Sequence, residues 1–310
     1  MTWTHYHLVF RLKSPLHIGW RKVGNLMETR DYVTGRVLWG ALTAQITRDQ
    51  GRGHEAGQYK TVGDLLHKHF RFGYLWPALP EDPAVATHAL PKVDWGEGSV
   101  TLYFPGKRSR WNHRSWKHPD FDYLFKGSFA RTALDPIGHA AAEGSLWQIE
   151  CIAPTSRGGL PVYLVGDLWV EESNLPPDVK QWRRSLGQIN LGGERTYGWG
   201  RVDLVEKALT SVRNQETVHG FKWQEQDGEI YVAIATGEYV PGHVLLESSC
   251  GAPVEGIVEP FVGWAYGIRE GRVRWSLQHA ITYSPGCKAT QTATFKVCPE
   301  GTFSPHGVPA

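Results

Sequence analysis

The N-terminal part of the chain alternates between strand-like and helix-like patterns of apolar residues. Aromatic and β-branched residues partly alternate with polar ones over 4–12, which predicts a β-strand that ends before Ser14-Pro15. Apolar residues then recur at helical spacing over 38–46, and Thr34 or Gly35 can cap this predicted helix. The chain therefore starts with a strand followed by a helix.

Similar patterns continue to the end of the chain. We predict helices over 62–69 and 182–186, and strands over 70–76, 145–152, 161–170, 201–205, 229–236, 243–246, 257–262 and 272–283. Pro77 is expected to end the strand before it, because proline cannot donate a hydrogen bond to a neighbouring strand. Strands mixed with helices predict an α+β fold, and the strand-rich end predicts a smaller β-rich C-terminal part.

The size and composition of the chain indicate a globular protein of two parts. A length of 310 residues suits two domains, or one domain with a large elaboration. Hydrophobic residues make up 41% and charged residues 21%, which excludes a disordered chain, and the apolar runs are shorter than the roughly 20 residues that a bilayer span needs. The first residues lack the features of a secretory signal. We therefore expect a cytoplasmic protein with no membrane partner.

The composition argues against a cysteine-based site and in favour of flat ligands. The four cysteines are far apart and form no C-x-x-C pair, so we predict no disulfide scaffold, no metal and no cofactor. The 35 glycines and 14 tryptophans suit a loop-rich β protein and also a surface that stacks on nucleobases. The formal charge is only +2, so RNA binding would need a local basic patch and the help of neighbouring proteins.

Residues 191–202 form a segment in which glycines are interleaved with arginines and aromatics. Glycines let backbone amides approach an anion closely, but a strand follows, and the spacing matches no nucleoside-triphosphate motif. Arg195 and Arg201 can pair with phosphates. Tyr197 and Trp199 can stack on bases, as single-stranded RNA recognition requires. The alternative is a glycine-rich hairpin in which Trp199 is simply buried.

A second candidate for RNA contact is the stretch from Ser99 to Pro119, which contains no acidic residue. Its basic residues are Lys107, Arg108, Arg110, Arg114 and Lys117, and tryptophans and histidines are interleaved with them. This composition predicts an exposed loop that attracts phosphates without regard to base sequence. The alternative is a solvated loop that binds nothing.

Four segments of the chain occur in an order that is typical of one known superfamily. They are residues 12–19, 32–42, 131–135 leading to 141–147, and 191–202. In this order they resemble the repeat-associated RAMP superfamily of CRISPR proteins, whose members fold as ferredoxin-like, RRM-like domains. The resemblance implies an RRM-like domain over 1–206 with a thumb insertion at about 99–135, followed by a smaller β-rich domain over 215–310.

The position of the glycine-rich segment narrows the resemblance. A glycine loop near residue 200 with about a hundred residues after it is similar to the fifth Cas family, especially the subunits of type III-D and type VII effector complexes. These proteins hold the 5′ handle, the repeat-derived end of the guide RNA. The resemblance implies guide contacts from the helix after the first strand and from the glycine loop, at Gly35, Arg36, Trp39, Gly192, Gly193, Arg195, Tyr197, Gly198, Gly200 and Arg201.

The same resemblance implies protein partners. The thumb of such subunits touches a neighbouring backbone subunit of the seventh Cas family. Either a large signalling subunit, as in type III, or a separate nuclease, as in type VII, completes the complex. We therefore expect guide RNA and these subunits as partners, with Lys107 to Lys117 as the phosphate-attracting part of the thumb.

His17 suggests a catalytic alternative. Metal-independent guide-processing ribonucleases of this superfamily use a histidine as general acid or base on the 2′-hydroxyl and the leaving oxygen. The segment that holds His17 also resembles the ordinary strand-to-loop segment of the superfamily, in which the histidine is not catalytic. His5 and His7 share one face of the first strand but lack a third ligand in the sequence, so we expect them to be packed or surface residues.

The carboxylates nearest to the resembling segments, Glu28, Asp31, Asp135 and Glu143, form no paired-acid motif, so we predict no metal-dependent nuclease site. Asp31, beside Tyr32, imperfectly matches the target-cutting aspartate of similar backbone subunits. We predict a non-catalytic CRISPR effector subunit that binds the 5′ handle of the guide RNA and caps one end of the complex. The alternatives are an endoribonuclease that uses His17 and a filament-forming backbone subunit.

Overall fold

The computed structural model describes residues 3–53, 55–82, 85–89, 92–94, 101–103, 115–135, 137–138, 140–206, 209, 211–212, 215–246, 252–269 and 272–306. The helices in these residues are α1 (Gly35–Asp49), α2 (Ala56–His69), α3 (His118–Phe125) and α4 (Trp182–Leu186). The strands before residue 210 are β1 (Thr4–Leu12), β2 (Gly19–Val23), β3 (Leu26–Thr29), β4 (Phe70–Asp82), β5 (Val85–Ala89), β6 (Lys92–Asp94), β7 (Thr101–Tyr103), β8 (Ser115–Lys117), β9 (Lys126–Arg131), β10 (Trp147–Ile152), β11 (Tyr163–Val170), β12 (Gln188–Asn190) and β13 (Arg201–Leu204). The later strands are β14 (Trp223–Gln226), β15 (Glu229–Ile234), β16 (Val244–Leu245), β17 (Val254–Glu255), β18 (Val258–Arg269), β19 (Arg272–Tyr283), β20 (Lys288–Ala289), β21 (Ala293–Val297) and β22 (Phe303–His306).

A ferredoxin-like unit forms the N-terminal part of the fold. Its elements follow the chain order β1, α1, β4, β11, α4, β13, and the four strands lie side by side in the order β13, β1, β11, β4. Each neighbouring pair is antiparallel. This is the strand order of RRM-like domains, so the predicted α+β fold is confirmed. Strands β12 and β5 extend the sheet at its two edges.

Strand β1 and helix α1 form because each has one apolar face. Leu8 and Phe10 of β1 are fully buried in the same core as Leu38 and Leu42 of α1. Burying a side chain of this size stabilises the fold by about 1.5–3 kcal/mol. The helix therefore keeps this face on the sheet and turns its remaining residues toward other parts of the protein.

Several elements extend beyond their predicted bounds, including β18, which is predicted over 257–262 and continues to Arg269. Helix α2 begins at Ala56, well before residue 62, and β4 continues through Pro77 to Asp82. Pro77 pairs with Leu164 of β11, while β5 pairs with β4 only from Leu79 onward. At Pro77, β4 therefore has a neighbouring strand on one side only. A missing N–H on the other side costs no ladder hydrogen bond, and the strand does not end there.

The described residues between β5 and β11 build structure outside the ferredoxin-like sheet. Strands β9 and β10 join β2 and β3 in a side sheet with the order β2, β3, β10, β9, so the predicted strand over 145–152 exists but lies outside the central sheet. Strands β6, β7 and β8 form a small sheet of their own. The predicted thumb at about 99–135 falls within this segment. Among the described residues, no helix is both long enough and apolar enough to cross a bilayer.

A second sheet contains the C-terminal strands in the order β14, β15, β21, β22, β16, β19, β18. Its own apolar core includes Ile230, Val232 and Phe295, and Trp3 and Trp169 of the N-terminal part pack into the same core. This confirms a β-rich C-terminal part packed on the ferredoxin-like unit. The division at residues 206 and 215 stays a prediction.

A buried chain of hydrogen bonds also connects the two parts. The Tyr74 hydroxyl donates to His243 Nδ1 at 2.5 Å, and His243 Nε2 donates to Glu259 Oε1 at 2.6 Å. Arg30 Nη1 donates to the same carboxylate oxygen at 2.9 Å. Burial acts to raise the pKa of Glu259, but the hydrogen bond from His243 and the charge of Arg30 outweigh it and lower the pKa to about 2. Burial lowers the pKa of His243 below its ordinary value.

We expect this connection to make the stability of the protein sensitive to acid. Because the pKa of His243 is lower in the folded protein than in the unfolded chain, its contribution is complete above about pH 6.5 and is lost as the pH falls. His243→Gln removes this titrating group. Urea unfolding between about pH 7 and pH 5 should show a smaller fall in the unfolding free energy for the variant than for the wild type; equal pH dependences would contradict the assignment.

Candidate RNA-binding cleft

A cleft of about 590 Å³ opens where α1, the loop between β12 and β13, and strand β18 meet. Its polar and charged lining residues are Arg30, Thr34, Arg36, Thr43, Asn190 and Arg195; its aromatic ones are Trp39, Tyr59 and Phe261; and its glycines include Gly192, Gly193 and Gly263. None of the described residues that line the cleft is acidic. The combination of arginines, flat rings and exposed backbone is the kind of surface that binds a single-stranded nucleic acid.

The glycine loop (residues 191–202) contains the hairpin connection between β12 and β13 and the first two residues of β13, and it is fixed by its backbone. Gly193 N–H donates to the carbonyl of His17 at 2.9 Å, and Gly200 N–H donates to the carbonyl of Pro15 at 2.7 Å. Gly192 and Gly200 have φ angles of 72° and 76°. A Cβ at these positions would lie 2.2 Å from the His17 oxygen and 1.8 Å from the Leu191 oxygen, so only glycine fits.

The tip of the glycine loop carries an exposed aromatic ring. Tyr197 is 67% exposed, and the guanidinium of Arg131 lies 4.0 Å from the centre of its ring. Glu194 fixes Arg131 through an ion pair of 2.7 Å. Gly198 has open space around it. The Tyr197 ring therefore packs on the guanidinium of Arg131, which Glu194 holds in place, and this arrangement suits stacking on a base.

Trp199 does not share this exposure. It is 7% exposed, belongs to a small core with Ile149 and Cys151, and meets Phe129 edge to face. The stacking role suggested for Trp199 is thus wrong, and the alternative of a buried Trp199 is correct. Residues of the side sheet cover its ring, and the local sequence does not show them.

The three residues predicted on helix α1 lie at the boundary with the C-terminal part. Arg36 forms an ion pair of 3.2 Å with Glu300 and lines the cleft. Trp39 also lines the cleft; its Nε1 donates to the carbonyl of Gly63 and its ring stacks on His67 at 4.2 Å. A Cβ on Gly35 would lie 2.4 Å from two backbone oxygens, so this glycine allows the two parts to approach closely.

Arg201 does not line the cleft, and most of the predicted basic residues of the thumb lie outside the described residues. Val202 points into the core under the helices, so Arg201 and Asp203 point to the opposite face of the sheet. On that face, Asp203 Oδ1 lies 3.7 Å from Arg201 Nε, and Asp203 Oδ2 lies 3.8 Å from Lys13 Nζ. Lys107, Arg108, Arg110 and Arg114 lie outside the described residues, and Lys117 ends strand β8. Of the predicted RNA-binding residues, the cleft lining thus includes Arg36, Trp39, Gly192, Gly193 and Arg195. It does not include Gly35, Tyr197, Gly198, Gly200 or Arg201.

His17 lies between two glycines that border the cleft region. Its Nδ1 donates to the carbonyl of Glu150 at 2.7 Å, which leaves Nε2 without the proton in the neutral ring. His17 Cδ2 lies 3.5 Å from the position of a Cβ on Gly193, and Nε2 lies 3.7 Å from that of Gly19. The side chain is largely buried, with 8% exposed.

The histidines of β1 belong to a hydrogen-bonded cluster. His5, His7 and Asp167 bring three possible ligand atoms within 4.8 Å of one another. Trp223 donates its indole N–H to His5 Nδ1 at 3.0 Å, so the proton of neutral His5 is on Nε2, which donates to Asp167 at 2.8 Å. A metal on Nε2 would need that proton on Nδ1, where the indole already donates. The arrangement fits a packing role, as expected from the sequence.

The other carboxylates considered above are dispersed. Asp31 forms an ion pair of 2.7 Å with Lys126, and Glu28 pairs with Arg21. Asp135 accepts a hydrogen bond from the backbone of Ile137. None of them joins a group of possible metal ligands among the described residues.

Sequence reasoning missed the third wall of the cleft. Phe261 and Gly263 of β18 line it, as do Arg30 and Asn190. The strand over 257–262 was predicted, but no local signal says that it lies beside residues more than two hundred positions earlier. Arg131 was part of a resembling segment, although its contact with Tyr197 was not foreseen.

Comparisons with solved structures give matches at low identity, with TM-scores below 0.5. No protein-family model matches the sequence, and no curated protein shows a significant match. A chain of the type III-B Cmr-beta structure bound to cognate target RNA is 10% identical, with 91% of this chain and 86% of that chain covered and a TM-score of 0.49. A chain of the Cmr-beta structure with cognate target RNA and AMPPnP, state 1, is 9% identical, with 91% of this chain and 85% of that chain covered and a TM-score of 0.49. A chain of the apo-state Cmr-beta structure is 12% identical, with 66% of this chain and 98% of that chain covered and a TM-score of 0.39. The fold assignment above rests on this chain's own strand order.

The glycine loop should tolerate substitution at its tip but not where it meets its neighbours. Gly200→Ala adds strain at a positive φ and a clash with Leu191, so we expect a loss of at least about 2 kcal/mol in unfolding free energy. Gly198→Ala has the same kind of φ with nothing within 4 Å, so we expect about 1 kcal/mol. Urea unfolding of both variants tests this, and equal losses would mean that the loop is not fixed as described.

Proposed function

We propose that this protein binds single-stranded RNA in the cleft, as the subunit of a CRISPR effector complex that holds the 5′ handle of the guide and caps one end of the assembly. The single observation that carries the proposal is the cleft itself, which joins the glycine loop to α1 and has arginines but no acidic residue among its described lining. The resemblance of the four sequence segments to the RAMP superfamily supplies the identity of the RNA.

The charges in the cleft support a backbone-directed contact. Arg30 and Arg36 line it but are already paired with Glu259 and Glu300. Arg195 is exposed and makes no ion pair with another described residue. Arg195 is therefore the lining cation best placed to meet a phosphate, with Tyr197 two residues further on to stack on a base.

The expected partners follow from the same proposal. A backbone subunit of the seventh Cas family would contact the thumb, and a large signalling subunit or a separate nuclease would complete the complex. Because the net charge is only +2, we expect the isolated protein to bind RNA less tightly than the assembly does.

Arg195→Ala tests the cleft. Loss of a charge-assisted contact should weaken binding of single-stranded RNA roughly 10- to 100-fold. It should also make the dependence of binding on salt concentration shallower, by the amount expected for about one phosphate contact. Arg184→Ala removes the same charge from an exposed position on α4 and is the matched control. Filter binding at several salt concentrations measures both, and equal effects of the two substitutions would contradict binding in the cleft.

Handle recognition needs a separate comparison. Filter binding of handle RNA and of scrambled RNA of the same length should show tighter binding of the handle. Equal affinity for the two RNAs would remove handle recognition and leave general RNA binding.

A second candidate function is cleavage of precursor guide RNA, favoured by the geometry of His17. The hydrogen bond to Glu150 leaves Nε2 able to accept a proton, beside Gly19, which lines the cleft. If this hypothesis holds, end-labelled precursor is cut in the presence of EDTA, and His17→Ala abolishes the cut. Absence of cleavage by the wild-type protein would exclude this candidate.

A further inference from the structure

Strand β2 carries an aromatic and cationic pair that the cleft described above does not include. Gly19 of β2 pairs with Thr29 of β3, and Lys22 pairs with Met27. Trp20 and Arg21 therefore oppose the single residue between them on β3, which is the geometry of a β-bulge. A bulge turns side chains away from the regular alternation of a strand, and bulges are frequent beside functional sites.

The two side chains are held in a defined arrangement. The Arg21 guanidinium carbon lies 4.1 Å from the centre of the Trp20 ring, and Arg21 Nε donates to Glu28 Oε2 at 2.5 Å. Trp20 Nε1 donates to Glu259 Oε2 at 3.3 Å. The indole is thus anchored to both the side sheet and the C-terminal sheet, while Trp20 remains 43% exposed.

The pair lies at the edge of the cleft. Gly19, directly before Trp20, lines the cleft, and so does Arg30. Arg30 donates to the other oxygen of the Glu259 carboxylate that accepts from Trp20. A nucleic-acid strand that leaves the cleft on this side meets the indole next, with the Arg21 cation beside it.

We propose that Trp20 and Arg21 form a nucleobase-binding site that takes a further nucleotide of the single-stranded RNA. An exposed flat ring that is anchored in one orientation can stack on any base, since every base has a π-face. The guanidinium of Arg21, which Glu28 holds in place, adds a second planar group beside the ring. The inference rests on the proposed function, because this nucleotide belongs to the strand in the cleft.

The test measures how the affinity for RNA depends on RNA length in the wild type and in variants of Trp20. Fluorescence anisotropy measures the affinity of labelled mixed-sequence single-stranded RNAs of about 4 to 16 nucleotides for the full-length protein. Trp20→Ala should weaken binding of the longer RNAs roughly 5- to 150-fold and leave the shortest ones unchanged. Trp20→Phe keeps a ring without the indole N–H and should retain most of the affinity. Val23→Ala, at another exposed position of β2, is the matched control.

Each outcome decides the proposal. If Trp20→Ala binds every RNA as the wild type does, or weakens short and long RNAs equally, the site does not exist. Equal losses for Trp20→Ala and Trp20→Phe would assign Trp20 to the hydrogen bond with Glu259 instead. Arg195→Ala separates the two proposals. If Arg195→Ala lowers the affinity for RNAs of every length and Trp20→Ala lowers it for none, RNA binding in the cleft stands and only the Trp20 site is removed. If the wild-type protein binds none of the RNAs, both proposals are removed.

Discussion

Two backbone hydrogen bonds, from Gly193 to the carbonyl of His17 and from Gly200 to that of Pro15, hold the glycine loop against the segment that follows β1. Everything proposed for the cleft depends on them. Because backbone atoms fix the loop, the side chains of Arg195 and Tyr197 are not needed for folding and can meet a ligand. The positive φ of Gly200 and the contact with Leu191 show why the loop needs glycine for its shape.

The C-terminal sheet completes the site electrostatically as well as sterically. Glu259 and Glu300 neutralise Arg30 and Arg36 at the cleft wall, so the paired arginines orient the two parts of the protein more than they attract RNA. Phosphate attraction then falls chiefly to Arg195 among the described lining residues. The proposed role, in which neighbouring proteins share the RNA, needs only such a local site, and the net charge of +2 is compatible with that proposal.

Local patterns predicted most of the central elements. Strand β1, helix α4 and the hairpin around the glycine loop have apolar periodicity or turn residues that act within a few positions, so the sequence alone placed them. The rest depends on distant partners. Pro77 remains in β4 because β5 pairs with β4 only from Leu79 onward. Trp199 is covered by the side sheet, and Arg201 points to the face of the central sheet opposite to the core. The wall formed by β18 is of the same kind, since no short-range signal joins Phe261 to α1.

The most direct test of the account is to map where RNA touches the protein, by ultraviolet crosslinking of 4-thiouridine-containing single-stranded RNA followed by mass spectrometry of the peptides. The account predicts crosslinks in the glycine loop and in the first turns of α1. Crosslinks confined to the opposite face of the sheet, around Lys13 and Arg201, or to the surface around Arg184, would contradict it.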